Sequence, residues 1–185
     1  MQELQRNEAL RLASPYPYTL ATVLDADGRP NAIGLGWWTF TSWSPLHLAI
    51  SVGHGRYSHQ CLTDHCGEFV LNFPAADQAR GAWLCGTRSG RKEDKLEEAG
   101  LELVPSLRVK PPTLAGVTVA FECRVYEQVR TGDHTLFIGE VLAHRGDPER
   151  TLHLYSVHYE QLVGIDAEGK TSWNLEFRER DAPTG

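Results

Sequence analysis

The segment at residues 85–95 carries the side chains best suited to anion chemistry in this sequence. Its eleven residues include Gly86 and Gly90, two hydroxyl side chains and four cations. Glycine lets backbone N–H groups turn onto an anion, and nearby hydroxyls and cations can complete the contact. This composition suits a phosphate group, although it lacks the glycine-lysine pair of a P-loop and opens no dinucleotide-binding βαβ unit. The alternative is a solvated polar loop that leads into a helix over residues 91–99.

A second candidate anion contact is the run Arg56, Tyr57 and Ser58, which lies between an expected strand and an expected helix. The first turn of a helix presents unpaired N–H groups that favour an anion. Ser58 is equally suited to the ordinary role of a serine at this position, which is to cap the helix.

Aromatic chemistry is concentrated in the run Trp37, Trp38, Thr39, Phe40 and Thr41. Neighbouring residues of a strand face opposite sides, so one indole is expected in the core and the other against a ligand, a partner chain or solvent. Thr39 and Thr41 are expected on the same side of the strand as Trp37.

His134 follows a Gly-Asp turn and opens an expected strand. Its imidazole can donate a hydrogen bond and changes charge near neutral pH, although a loop histidine is usually inert. Five other histidines and cysteines lie at residues 54–66, but they lack the paired short spacings of a structural zinc site, so no metal is predicted. The four cysteines include no Cys-x-x-Cys pair, which argues against a thioredoxin-type redox centre.

The bulk composition places these residues in an ordinary globular chain. The 185 residues carry a net charge of −6, with 41% apolar and 23% charged residues. We expect one domain over residues 1–185, with a core at about 15–165 and a charged C-terminal tail. The acidic balance argues against general nucleic-acid binding. The sequence shows no signal peptide and no apolar run of about 20 residues, so a cytoplasmic protein with no membrane partner and reduced thiols is expected.

The pattern along the chain predicts mainly strands. Strands are expected at residues 18–24, 30–41, 46–52, 68–73, 114–129, 136–144 and 159–165. Short helices are expected at residues 4–12, 58–65, 75–84 and 91–99, with Asp94 serving the start of the last one. Many short strands with few helices predict a β-rich α+β fold built on a closed antiparallel sheet.

The order of these motifs resembles the flavin reductase-like family of FMN-binding split barrels, close to its flavoredoxin branch. The resemblance covers residues 15–142 and depends on motifs that follow one another along the chain: Asp27-Gly28-Arg29-Pro30-Asn31, Trp37-Trp38-Thr39, Arg56-Tyr57-Ser58, Ser89-Gly90, Asp94-Lys95 and Gly132-Asp133-His134. It implies a six-stranded antiparallel Greek-key barrel with short flanking helices, and a homodimer with FMN at the subunit interface.

The resemblance also implies residue roles. It places residues 37–41 along the isoalloxazine ring, and His134 against the nicotinamide of NADH or NADPH, the transient electron donor. It assigns the phosphate and ribityl chain of FMN to Arg56, Tyr57, Ser58, Ser89, Gly90 and Lys95. The implied function is an FMN-binding oxidoreductase that passes electrons from NAD(P)H to an unidentified acceptor. The alternatives are a non-catalytic FMN carrier or store, and a β-barrel that binds no flavin.

Overall fold

The computed structural model describes residues 1–91, 94–158, 160–166 and 168–176, the last five of these as backbone only. The predicted C-terminal tail at residues 178–185 lies outside the described residues, as does the first residue of the strand predicted at 159–165.

The described part of the chain contains four α-helices and thirteen strands. The helices are α1 (Arg6–Leu12), α2 (Tyr57–Gln60), α3 (Ala79–Thr87) and α4 (Lys95–Ala99). A π-helical turn, Cys61–Cys66, extends α2, and a 3₁₀ turn, Ala76–Gln78, precedes α3. The strands are β1 (Tyr16–Pro17), β2 (Thr19–Leu24), β3 (Pro30–Leu35), β4 (Trp38–Trp43), β5 (Leu46–Gly53), β6 (Glu68–Phe73), β7 (Leu103–Val104), β8 (Thr113–Leu114), β9 (Val119–Thr131), β10 (His134–Gly146), β11 (His153–Val157), β12 (Gln161–Ile165) and β13 (Thr171–Glu176).

Among the described residues, seven strands form the main sheet in the order β3-β2-β6-β9-β10-β5-β4, and every neighbouring pair is antiparallel. Ile33 and Leu35 of the edge strand β3 share one buried cluster with Leu48 and Ile50 of β5. The two ends of the strand order therefore curl around a common core. This confirms the predicted β-rich fold class, with seven strands in the sheet where six were expected.

A second buried cluster joins the outside of this sheet to the helices. Tyr18 and Leu20 pack there with Ala82 and Cys85 of α3 and with Leu96 of α4. A smaller sheet in the order β1-β11-β12-β13 adds Leu154 and Leu162 to the cluster. Strand β11 lies outside the predicted elements, and it brings residues 154–156 next to Tyr16–Pro17.

Two predicted elements differ in a way that affects the site. The strand predicted at residues 30–41 is divided into β3 and β4, because the chain pairs with β2 up to Leu35 and with β5 from Trp38 onward. The helix predicted at residues 91–99 begins at Lys95, where the Asp94 carboxylate accepts hydrogen bonds from the N–H groups of Leu96 and Glu97, each at 3.2 Å. Asp94 is therefore the N-cap of α4, as predicted.

The described residues show neither a metal-binding cluster nor a membrane-spanning helix. They contain no group of three or more histidine, cysteine, aspartate or glutamate side chains placed to hold a metal ion. None of their helices is long and apolar enough to cross a membrane.

Candidate functional site

A cavity of about 420 Å³, called here the large cavity, lies between the main sheet and α3. One wall is the segment at residues 33–37, and another is the end of β5 at residues 51–53. Trp83, Gly86 and Thr87 of α3 face these walls, together with His134 at the start of β10. The cavity is broad and partly aromatic, and it is therefore suited to a flat ring system.

Two glycines and a tyrosine bring α3 against β3 at the bottom of this cavity. The hydroxyl of Tyr18 reaches between Gly34 and Gly86 and donates to the Ala82 carbonyl at 3.2 Å. A Cβ on either glycine would lie 2.1 Å from that hydroxyl oxygen, which no real contact allows. Burial, together with the neighbouring Cys85, raises the pKa of Tyr18, so the hydroxyl keeps its proton and its donor role.

Trp37 and His134 form an aromatic pair at the side of the large cavity. Their ring centroids are 5.2 Å apart and their planes are inclined at 39°. His134 Nδ1 lies 2.7 Å from the Asp133 carboxylate, and this hydrogen bond lowers the pKa of Asp133. Since Nδ1 is bonded to Asp133, Nε2 is the nitrogen that can contact a molecule in the cavity. The structure thus places two predicted site residues, Trp37 and His134, side by side.

A smaller cavity of about 160 Å³ adjoins the large one, and the two share Ile33, Arg56, Gly86 and Thr87 as lining residues. The small cavity is lined by the polar loop at residues 85–90 and by residues 55–58 at the start of α2. Six residues predicted to hold the phosphate or ribityl chain therefore meet around one cavity: Arg56, Tyr57, Ser58, Ser89, Gly90 and Lys95.

Lys95 contributes to the small cavity from a buried position. Its side chain is 4% exposed, and Nζ donates to the carbonyls of Cys85 at 2.8 Å and Arg88 at 2.9 Å. The lysine therefore holds the polar loop at two points, Cys85 and Arg88, while its charge remains at the cavity wall. Burial raises the pKa of the Cys85 thiol to about 11, only partly opposed by Lys95, which makes Cys85 a structural cysteine.

Tyr57 is oriented away from a direct role at the centre of the small cavity. Its hydroxyl donates to the Asp25 carboxylate at 3.2 Å, and the Arg91 guanidinium lies 5.3 Å from its ring centroid. Burial and the bond to Asp25 both raise the pKa of Tyr57. Tyr57 therefore contributes a fixed wall.

Asn31 was not predicted as a site residue, yet it lines the small cavity with Ser58. Asn31 is 4% and Ser58 is 2% exposed, and Asn31 Nδ2 donates to Ser58 Oγ at 2.8 Å. Among the described residues, Asn31 Oδ1 is one of three buried side-chain atoms without a hydrogen-bond partner. The available signal is a polar amide that enters an otherwise apolar strand, β3.

Four of the aromatic and hydroxyl residues predicted along the ring do not reach either of these cavities within one chain. Trp38 packs edge-on against Phe73, with ring centroids 4.9 Å apart, and lies partly buried over the barrel core. Thr39, Phe40 and Thr41 are exposed on β4, where a bulge between Phe40 and Ser42 shifts the register. The two indoles nevertheless have different surroundings, as the alternation of a strand predicts.

Other residues at the large cavity come from segments that carry no motif. Trp83 lies on α3, while Ser156 and Glu160 lie on and next to β11 and β12. Glu160 also forms an ion pair with Arg11, which ties α1 to the rim of the cavity. Only the fold brings these positions together, so no spacing in the sequence indicates them.

A pair of histidines lies behind His134. His54 Nε2 is 3.2 Å and His59 Nε2 is 2.9 Å from Thr135 Oγ1, and the two imidazole centroids are 5.0 Å apart. Burial and then the neighbouring His54 lower the pKa of His59. The pair connects the end of β5, the helix α2 and the start of β10, and each of these contributes to a cavity wall.

The two joined cavities fit a flavin with a phosphate tail. The broad cavity is flanked by Trp37, His134 and Trp83, and the narrow one combines cationic groups with the Ser58 hydroxyl and an unpaired amide oxygen. Planar ligands bury well in aromatic-lined clefts, and cationic groups with hydroxyl donors favour a phosphate.

Comparisons with known proteins agree with this geometry. The family described as flavin reductase like domain matches residues 11–162. A protein of Archaeoglobus fulgidus is 41% identical over 139 residues, which span 74% of this chain and 77% of that protein. The NADH:riboflavin 5′-phosphate oxidoreductase of Streptomyces pristinaespiralis is 30% identical over 146 residues, 78% of each chain. The structure of flavoredoxin from Desulfovibrio vulgaris (Miyazaki F) matches with a TM-score of 0.69 and 26% identity, covering 90% of this chain and 91% of that one. The resemblance seen in the motifs is confirmed, and the chain belongs to the flavin reductase-like family.

Proposed function

We propose that this chain is an FMN-dependent oxidoreductase that uses NADH or NADPH as its electron donor. The observation that carries the proposal is the junction of a 420 Å³ aromatic cavity with a 160 Å³ cationic one through four shared residues. A flavin ring in the first cavity would place its ribityl phosphate in the second. When bound, FMN supplies the redox chemistry, since it accepts a hydride from reduced nicotinamide and passes electrons onward.

The chain's own residues bind and orient. Ser58, Ser89 and Arg56 surround the phosphate position with donors, while Lys95 fixes the loop that carries Ser89 and Gly90. Trp37 borders the ring cavity, and His134 presents Nε2 to a nicotinamide that enters beside it. Neither role requires a side chain to act as a nucleophile or to take up a proton during the reaction.

We further infer that the protein is a cytoplasmic homodimer. Exposed aromatic side chains on β4 and β9 support the dimer: Trp43 is 90%, Tyr126 is 68% and Phe40 is 48% exposed. Such a group of exposed apolar residues is typical of an interaction surface. All four cysteines are free thiols, which supports a reducing compartment.

The deciding experiment is flavin binding followed by reduction. The purified protein is titrated with FMN, FAD and riboflavin, and the FMN complex is mixed with NADH or NADPH under anaerobic conditions. We expect one FMN to bind per chain and riboflavin to bind more weakly. On mixing with NADH or NADPH, the absorbance of the oxidised flavin should decrease. A protein that binds FMN but leaves it oxidised would be a non-catalytic carrier. A protein that binds no flavin would contradict the proposal, and sedimentation as a monomer would contradict the dimer.

A further inference from the structure

The rim of the large cavity carries an ion pair between two distant parts of the chain. Glu160 lines this cavity, and both of its carboxylate oxygens contact the Arg11 guanidinium of α1. Among the described residues that line the cavity, Glu160 is the only carboxylate. Arg11 therefore cancels a negative charge that would otherwise repel an anionic molecule at the rim.

The main chain next to Arg11 is fastened to the rim independently of its side chain. His158 Nδ1 donates to the Arg11 carbonyl at 3.0 Å. Ser14 Oγ accepts from the His158 N–H at 2.8 Å and donates to the Ser156 carbonyl at 3.3 Å. Residues 11–14 and 156–158 therefore stay together when the guanidinium leaves Glu160.

The side chain of Arg11, in contrast, can turn without disturbing the core. It is 49% exposed and that of Glu160 is 57% exposed, while α1 contains no buried residue. An exposed ion pair of this kind contributes only about 0.2–1 kcal/mol. A phosphate is a strong, two-point partner for a guanidinium, so it can take the place of the carboxylate at little cost.

The proposed electron donor brings such an anion to this rim. When its nicotinamide lies beside Trp37 and His134, the ribose and pyrophosphate that follow must extend toward solvent, because the flavin ring occupies the interior of the cavity. Glu160 marks the solvent side, since it lines the cavity and is more than half exposed. A cation on an anchored main chain is therefore available where the pyrophosphate leaves the cavity.

We propose, on the basis of the function proposed above, that Arg11 binds the pyrophosphate of NADH or NADPH and that Glu160 holds the guanidinium at the rim until the donor enters. On binding, the guanidinium exchanges the carboxylate for the pyrophosphate. The pair thereby favours a dinucleotide over a dihydronicotinamide that carries no phosphate.

Stopped-flow reduction of the FMN complex tests the proposal with two kinds of donor. The donors are NADH or NADPH, whichever reduces the parent protein faster, and 1-benzyl-1,4-dihydronicotinamide, which has no ribose and no phosphate. The proteins are the parent, Arg11→Gln, Glu160→Gln and, as a matched control, Arg6→Gln at an exposed position of the same helix. The dependence of the rate on donor concentration gives the apparent dissociation constant and the limiting rate separately.

The two partners of the ion pair should have opposite effects. Arg11→Gln should raise the apparent dissociation constant of the dinucleotide by about 1.5- to 5-fold, the range for an exposed ion pair, with an unchanged limiting rate. Glu160→Gln should lower this constant by a similar factor, because the guanidinium no longer has to leave a carboxylate. Arg11→Lys keeps the charge and should recover part of the loss. The benzyl donor and Arg6→Gln should show no change.

A merely structural ion pair would give a different pattern. If it only fastened α1, both variants would weaken the dinucleotide, and this result would overturn the inference. Equal changes for the dinucleotide and the benzyl donor would overturn it as well, as would an Arg11→Gln protein that behaves like Arg6→Gln. A parent protein that binds no FMN, or whose FMN no dinucleotide reduces, would instead overturn the proposed function.

Discussion

The small cavity and the large cavity are neighbours, but they depend on different physics. The small one is defined by side-chain chemistry: a buried lysine, two arginines, two serines and an amide converge on a space of about 160 Å³. The large one is defined by backbone proximity, because Gly34 and Gly86 let α3 approach β3 with only the Tyr18 hydroxyl between them. Substitutions at the first should change the affinity for a charged group, whereas substitutions at the second should change shape and stability.

The largest expected effect is at Lys95. In Lys95→Met the side chain keeps its length but loses the cation, and the carbonyls of Cys85 and Arg88 lose a charged donor. We expect FMN binding to weaken by about 1.5–3 kcal/mol, the range for a hydrogen bond to a charged group. Riboflavin binding should weaken much less. Isothermal titration of both ligands measures the difference, with the exposed Lys110→Met as control. Equal losses for the two flavins would mean that Lys95 only supports the fold.

The next effect tests the backbone proximity at the large cavity. Gly86→Ala places a Cβ 2.1 Å from Tyr18 Oη, with every other neighbour at 3.4 Å or more. We expect urea unfolding of the flavin-free protein to show a loss of about 1–3 kcal/mol, as for an overpacked core. Tyr18→Phe removes the clashing oxygen, so the double variant should recover most of that loss.

Gly34→Ala is the comparison variant for the recovery of Gly86→Ala by Tyr18→Phe. Its Cβ would also lie 2.8 Å from the backbone Cα of Gly86, which Tyr18→Phe leaves in place. The same second substitution should therefore fail to rescue Gly34→Ala. If Tyr18→Phe restores both glycine variants equally, the wall of the large cavity depends on the tyrosine alone and not on the backbones.

A smaller effect is expected at His134, which lines the large cavity but takes no part in the close approach of Gly34 and Gly86. His134→Ala should leave FMN affinity nearly unchanged and slow the reduction of bound flavin by NADH or NADPH. The loss of one neutral hydrogen bond, about 0.5–1.5 kcal/mol, corresponds to roughly a 2- to 12-fold decrease in rate. Stopped-flow bleaching measures this rate, with His153→Ala at an exposed position of β11 as control. Loss of FMN with a normal rate in the remaining complex would contradict the assigned role.

The same contrast explains how much of the site was predictable. Residues 85–90 and 56–58 are short runs whose glycines, hydroxyls and cations indicate an anion without knowledge of the fold. Gly34 carries no such signal, because its importance arises only when α3 packs on β3. Glu160 and Ser156 reach the cavity through the pairing of β1 with β11, a contact between residues about 140 positions apart. Such long-range contacts leave no local spacing to read.

The division of the strand at Gly36 and Trp37 has a similar cause. An apolar run such as residues 30–41 predicts one strand, since local pattern does not reveal a change of pairing partner. The main chain leaves β2 and joins β5 there, and this turns Trp37 to the cavity while Thr39 and Thr41 lie on the exposed face. The order of the strands in the sheet, rather than the composition of the run, decides which of its residues meet a ligand.

The smallest effect expected is a pH dependence of stability and of flavin affinity that involves both cavities. His59 lies on α2, and the start of this helix lines the small cavity. The imidazoles of His59 and His54 both contact the Thr135 hydroxyl. His54 directly follows Gly53, the last residue of β5 that lines the large cavity. Asp64 also faces His59 and partly offsets the fall of its pKa, while Asp133 is engaged by His134. Folding lowers the pKa of His59 below 6.5, so the unfolded chain takes up this proton first.

The His59 contribution to the free energy of unfolding is therefore fully present above pH 6.5 and decreases as the pH falls toward the lowered pKa of the folded state. Urea unfolding between pH 7.5 and about 5 should show this slope, and His59→Gln should reduce it, whereas the exposed His153→Gln should not. Because the histidine pair supports walls of both cavities, FMN and riboflavin should lose affinity together over this range, unlike in Lys95→Met. If the affinity for FMN falls with pH while the affinity for riboflavin does not, the effect lies in the phosphate contacts. The histidine pair would then not support both cavities.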